Sequence, residues 1–268
     1  MSAIGVALVA AGCMPPRPQS EVSAGEPLRR TQRICAPPGV ELSLLQGGRV
    51  GATRVILVHG TPGDANGWID HLLHPSADME VVALDRPGFG RSRPEGALPR
   101  LADQAAAVAA LLPEDGTPAV LLGHSLGGPV VARVAADHPT RVAAIVLLAA
   151  ALDPTLETIH PMQHVGAWPP VRGLLPRTIR NANVELMALK PELEALEPAL
   201  ASIVAKVVIM HGTLDPLVPV ANVAYAQARL SGARCVRTML LEGRDHFLPW
   251  NAFDEVQRAL RIALEPGC

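Results

Sequence analysis

The chain has 268 residues, enough for one large α/β domain with a substantial buried core. Its 49% hydrophobic and 18% charged residues exclude an intrinsically disordered chain, a collagen-like repeat and a charged coiled coil. A formal net charge of −2, from 23 basic and 25 acidic residues without long runs, supplies no field to gather nucleic acid, and the lack of any apolar run of about 18 residues excludes a multi-spanning membrane protein.

At the N-terminus, Ile4 to Ala11 is a short apolar run followed by Gly12 and Cys13, then by Pro15, Pro16 and Pro18. Small residues ahead of a cysteine resemble a bacterial lipoprotein signal, in which the cysteine is lipidated and becomes the new N-terminus. That resemblance implies a signal over residues 1–13, lipidation at Cys13, membrane association through the lipid and a place in the bacterial cell envelope. Residues 14–38 would then be a Pro-rich tether. The other reading is a flexible apolar tail on a cytoplasmic protein. Cys13, Cys35, Cys235 and Cys268 show no CxxC or His-rich spacing, so no zinc site is expected. With Cys13 lipidated, the other three allow one disulfide, whose pairing the spacing leaves open.

From residue 40 onward, short apolar runs alternate with longer helical patterns, which predicts one α/β domain over 39–268. Strands are expected at Val40–Gln46, Arg54–Val58, Glu80–Leu84, Ala119–Gly123, Val142–Ala149, Lys206–Met210 and Cys235–Leu240. Several are unbroken Val/Ile/Leu runs, the mark of parallel strands buried on both faces. Covering helices are expected at Arg100–Leu112, Leu126–Asp137, Val220–Leu230 and Asn251–Leu264. Between Leu152 and Ala205 the pattern breaks into Pro-punctuated pieces, with Pro154, Pro161, Pro169, Pro170, Pro176, Pro191 and Pro198. Residues 152–205 are therefore read as a cap insertion over the sheet, with Trp168, Met162 and several leucines roofing a pocket.

The chemistry concentrates in Gly123-His124-Ser125-Leu126-Gly127, a G-x-S-x-G pattern with an apolar strand before it and an apolar helix after it. A serine on so sharp a turn needs glycines where the chain crowds itself, and the helix start places backbone N–H groups beside the hydroxyl. Serine alone is a weak nucleophile and needs a base held by an acid. Asp215 follows the Lys206–Met210 strand and His246 follows the next one, giving the chain order Ser, Asp, His. Asp153 is the competing acid, and its place before Pro154 is explained by a turn. Asp245 is a third, poorly placed to turn onto its neighbour's ring. His59-Gly60-Thr61-Pro62-Gly63 closes an early strand, so the amides of Thr61 and Leu126 are expected to form an oxyanion hole. Asp85-Arg86-Pro87-Gly88-Phe89-Gly90-Arg91-Ser92 reads as a mostly structural turn at the sheet edge.

Taken in order, His59–Gly63, Asp85–Ser92, Gly123–Gly128, His211–Pro219 and the segment around His246 resemble the α/β-hydrolase fold superfamily over residues 40 to 265. The resemblance implies a mostly parallel central sheet flanked by helices, with a short cap insertion. It further implies a serine hydrolase without a cofactor, acting on a small-molecule ester or related acyl substrate through an acyl-enzyme. Serine at position 125 sets the chain apart from haloalkane dehalogenases and epoxide hydrolases, which carry aspartate there. Leu122 departs from the proline iminopeptidases, which carry tryptophan at that place. Thioesterase, carbon–carbon bond hydrolase and aminopeptidase activities of the same fold stay open, as does an inactive lipid-anchored binding protein. Short to medium acyl chains are expected, because the insertion is short for a lid.

Overall fold

A computed structural model describes residues 27–34 and 37–268. The expected signal and lipidation site at Cys13 lie outside the described residues, as does Cys35.

Among the described residues, eight strands form one sheet in the order β1-β2-β4-β3-β5-β6-β7-β8. They are β1 Leu28–Arg33, β2 Glu41–Gly48, β3 Thr53–Val58, β4 Met79–Leu84, β5 Ala119–His124, β6 Val142–Leu148, β7 Lys206–Gly212 and β8 Cys235–Leu241. β1 and β2 pair antiparallel, β2 runs antiparallel to β4, and every pairing from β4 through β8 is parallel. The parallel strands are buried on both faces by alternation. Ile56, Val58, Leu121, Ile145 and Val207 pack on one side, while Val55, Leu57, Leu122, Val146 and Val208 pack on the other.

One face is covered by α2 Leu101–Ala109, α3 Gly127–Asp137, the C-terminal half of α6 Arg177–Leu200 and α7 Ala221–Arg229. The other is covered by α1 Ile69–Leu73, α8 Leu248–Asn251 and α9 Phe253–Leu264, whose buried Val256, Ala259, Leu260 and Ala263 repeat at helical spacing. Strand order reverses at β3: β4 lies on one side of it and β5 on the other. The loops leaving the carboxyl ends of β3 and β5 therefore diverge around a crevice, the place where open α/β sheets hold ligands.

Two expectations are corrected. The tether was expected to reach residue 38, yet Leu28–Arg33 is an edge strand. Its sequence LRRTQR has no apolar run, so what holds it is the ladder to β2 and Arg29, which donates to Ser43 at 2.7 Å, Asp85 at 3.0 Å and Asn66 at 2.9 Å. The insertion was expected as short pieces, yet α6 runs 24 residues through Pro191 and Pro198. A single stripe explains its persistence, since Asn181, Glu185, Leu189, Leu193, Leu196 and Leu200 are all buried on the face turned to the domain. Burial of that stripe outweighs the backbone bonds that the prolines remove. Among the described helices, α4 Pro161–Ala167 and α5 Pro169–Leu174 sit apart from the core, with no buried residue in either.

Candidate active site

Ser125 follows the last residue of β5 with φ 54°, a left-handed conformation rare for a residue with a side chain. The turn is held on both sides: the Ser125 N–H donates to the Leu148 carbonyl at 3.0 Å, and its own carbonyl accepts from Gly128 at 2.9 Å. Gly123 is obligatory here, because a Cβ would collide with the Gly127 carbonyl. Gly60 is the second such position. A Cβ there would lie 2.8 Å from the Cβ of Ser125, so the loop after β3 can approach the serine only without a side chain.

The loops after β7 and β8 bring Asp215 and His246 together, with His246 Nδ1 donating to Asp215 Oδ2 at 2.7 Å. Both side chains are buried. Asp215 also accepts from the amides of Leu217 at 2.9 Å and Val218 at 2.8 Å. Burial pushes its carboxyl up, but the hydrogen bonds from His246, Val218 and Leu217 outweigh burial and hold it below the usual carboxylate range. The carboxylate stays charged, fixes the proton of His246 on Nδ1 and leaves Nε2 as the free base. Asp153 does none of this. It caps the turn Pro154–Leu156, accepting from the Thr155 amide at 2.8 Å and hydroxyl at 2.7 Å. Asp245 likewise caps its own turn through the Phe247 amide and Asn251.

Thr61 and Leu126 line the same cavity as Ser125, and among the described residues neither amide donates a hydrogen bond. Two open N–H groups in the cavity that holds the serine are able to stabilise negative charge on a carbonyl oxygen. The Thr61 side is fixed from the turn Asp85–Ser92, expected to be mostly structural. Arg86, fully buried, donates to the carbonyls of His59 at 2.9 Å and Gly60 at 2.8 Å, and pairs with Glu185 of α6 at 2.7 Å. Gln104 of α2 bonds both partners. The Arg86 amide donates to His59 Nε2, and His59 Nδ1 donates to Gly60, which fixes the His59 tautomer. Burial, with the Arg86 charge next, lowers His59 well below the ordinary histidine value, so the ring is neutral.

His124, the variable residue of the elbow pattern, donates from Nε2 to the His246 carbonyl at 3.0 Å, with ring centroids 4.7 Å apart. Burial and the neighbouring His246 push it down to about 3. It is a neutral clamp that positions His246. The signal for it, a histidine inside an otherwise apolar strand-to-helix turn, was present in the sequence. Arg86 carried one as well, an arginine two residues after a buried strand. Glu185 carried none, because its helix was not foreseen.

The cavity holds about 620 Å³, within the range of small-molecule sites. Its apolar walls are Trp68, Leu186, Leu189, Leu217, Phe247 and Trp250. Trp168 and Met162 do not line it. They are 60% and 63% exposed, so the expected roof is supplied by α6 leucines and by aromatics near His246. Among the described residues no group of three or more His, Cys, Asp or Glu could hold a metal ion.

The family model described as alpha/beta hydrolase fold matches residues 53–173. The chain is 44% identical over 100 residues to the dihydrolipoyllysine-residue acetyltransferase component of the acetoin cleaving system of Cupriavidus necator, a match over 37% of this chain and 26% of that protein. It spans little more than a quarter of the length of the curated relatives that it matches. Among solved structures it superposes on 2-hydroxy-6-oxo-6-phenylhexa-2,4-dienoate hydrolase from a Rhodococcus species with a TM-score of 0.70, 18% identity and coverage of 89% of this chain and 98% of that one. A carboxylesterase from Bacillus subtilis gives a TM-score of 0.66 at 20% identity, over 91% and 93% of the two chains. At such identities the likeness speaks for the fold.

Proposed function

The chain is a member of the α/β-hydrolase fold superfamily, and from that premise we propose that it is a serine hydrolase cleaving a carboxylic ester or related acyl substrate. The observation that carries the reading is the 2.7 Å bond from His246 to a buried Asp215, in the cavity where Ser125 sits on its strained turn. In this mechanism His246 Nε2 takes the hydroxyl proton as Ser125 Oγ bonds to the substrate carbonyl carbon. The Thr61 and Leu126 amides hold the resulting oxyanion. Collapse breaks the bond to the leaving group, which takes the proton from His246, and an acyl-enzyme remains. Water, activated by the same His246, then releases the acid and restores Ser125. Asp215 keeps the ring oriented and stabilises its charged form. The cavity of about 620 Å³ favours short to medium acyl chains over long-chain triglycerides.

A fluorophosphonate probe tests the reading directly. The expected result is one adduct on Ser125, lost in Ser125→Ala. No adduct, or an adduct elsewhere, contradicts it. A screen of p-nitrophenyl esters, thioesters and aminoacyl amides then ranks the acyl substrates.

The proposal extends to the cell envelope. Its support among the described residues is the disulfide Cys235–Cys268, which ties the C-terminus to β8, since disulfides persist in oxidising compartments. Intact mass from the native host should show a lipidated Cys13 as the first residue, and Cys13→Ser should release the protein from membranes. An unmodified Met1 would overturn this part.

A further inference from the structure

Resting on that reading, we propose that Glu157 is a specificity determinant that binds a protonated amine carried by the substrate. Glu157 lines the same cavity as Ser125 and His246, at the end of the turn that opens the insertion. The turn is rigidly placed. Asn222 of α7 accepts from the Leu152 amide at 2.7 Å and the Asp153 amide at 2.8 Å, and Asp153 caps the turn.

What separates Glu157 from the other carboxylates of this region is that they are occupied. Asp64, also in the cavity wall, accepts from the amide and side chain of Asn66. Asp153 is taken by Thr155, and Asp215 by His246 and two amides. Among the described residues the Glu157 carboxyl has no hydrogen-bond or ion-pair partner, although it is half-buried. A half-buried acid without a donor is costly unless something arrives to supply one.

The surroundings select the sign of that ligand. No lysine or arginine lines the cavity among the described residues, and of its three histidines His59 and His124 are held neutral by burial, the third being His246. Burial, with the Asp153 carboxylate adding to it, pushes the Glu157 carboxyl up. A negative partner would raise that cost further, whereas a cation relieves both contributions. The aromatic faces of Trp68, Phe247 and Trp250 in the same cavity are compatible with a cation and add attraction where it passes over a ring. The substrate class is therefore an acyl ester or amide with an ammonium group on its acyl or its alcohol part, several bonds from the scissile carbonyl.

The test uses matched substrates in which an ammonium replaces a terminal methyl. p-Nitrophenyl 6-aminohexanoate is compared with the heptanoate, 3-aminopropanoate with butanoate, and the acetate of 6-aminohexanol with that of heptanol by acid release. In the wild-type protein at least one amine ester should exceed its methyl partner tenfold or more in kcat/KM. In Glu157→Gln that ratio should fall at least tenfold, mainly through KM, while the adipate half-ester improves relative to the wild type. Methyl partners preferred in every pair, or an amine preference that Glu157→Gln leaves in place, would overturn the proposal. Ser125 labelling by a neutral fluorophosphonate keeps the two readings apart. Labelling without amine preference removes only the role of Glu157, and absence of labelling removes the hydrolase reading and this inference with it.

Discussion

On one side of Ser125 the loop His59–Thr61 hangs from a single buried cation. Arg86 holds its carbonyls and is held in turn by Glu185, so the Thr61 amide depends on a contact between the sheet and α6, across 99 residues of chain. On the other side, the Asp215 loop is held by its own amides of Leu217 and Val218, and the His246 loop by the neutral ring of His124, 122 residues away along the chain. The loop of Thr61 is thus coupled to the insertion by a buried ion pair, while the loops of Asp215 and His246 are supported by amides and a neutral ring. Damage to the first should spread into stability, and damage to the second should stay in the chemistry.

The largest expected effect breaks the acid–base side. Ser125→Ala or His246→Ala should each lower kcat on an ester by a factor on the order of 10⁶, and the double variant should be little worse, because the residues act as a unit. Additive losses in single-turnover kinetics would contradict that. Thermal melts of these variants should stay close to wild type.

The opposite pattern is expected on the oxyanion side. Arg86→Met leaves the Glu185 charge buried with only the neutral Gln104 amide bonded to it, and loss of one member of such a pair costs about 3–5 kcal/mol. In the fraction that folds, kcat should drop about 10²-fold with little change in KM, because in the proposed mechanism the Thr61 amide binds charge formed only in the transition state. Glu185→Gln keeps the shape and removes one charge, so it should fold and show the same split in milder form. A KM effect with kcat preserved would show that Arg86 serves substrate binding instead.

The smallest effect sharpens the comparison through pH. Burial lowers His59, His124 and His211. Above a pH of about 6.5 these groups are neutral in both states and cost nothing. As pH falls below that value the unfolded chain takes up protons that the folded chain refuses. Stability is lost at up to about 1.4 kcal/mol per pH unit per histidine, until the folded-state value is reached, about 3 for His124. Asp215 adds a loss only lower still, from the ordinary carboxylate range downward. Melting temperatures measured from pH 8 to pH 5 should therefore fall below about 6.5. A flat profile would show that these rings can be protonated in place.

Five of the seven strands expected from Val40 onward, β3 to β7, were legible because they carry apolar runs, and the elbow because its glycines, serine and flanking elements agree. Asp215 and His246 were legible from their places after successive strands. The rest escaped for physical reasons that can be named. β1 is polar and is held by pairing, which no local pattern reveals. α6 contains two prolines, and its stripe changes from Asn181 and Glu185 to leucines part-way, so neither punctuation nor hydrophobicity alone identifies it. The partners of Arg86 lie far along the chain, and long-range charge pairs leave no spacing to read.

The central claim is that Asp215, and not Asp153, orients His246 for attack by Ser125. It is tested by kcat for Asp215→Asn and Asp153→Asn on one ester at one pH, with circular dichroism confirming that both are folded. The account predicts a loss on the order of 10⁴ for Asp215→Asn, from misorientation of the imidazole, and a change within about threefold for Asp153→Asn, which only weakens a turn cap. The reverse ranking would contradict the 2.7 Å contact on which the mechanism stands and move the acid to the insertion.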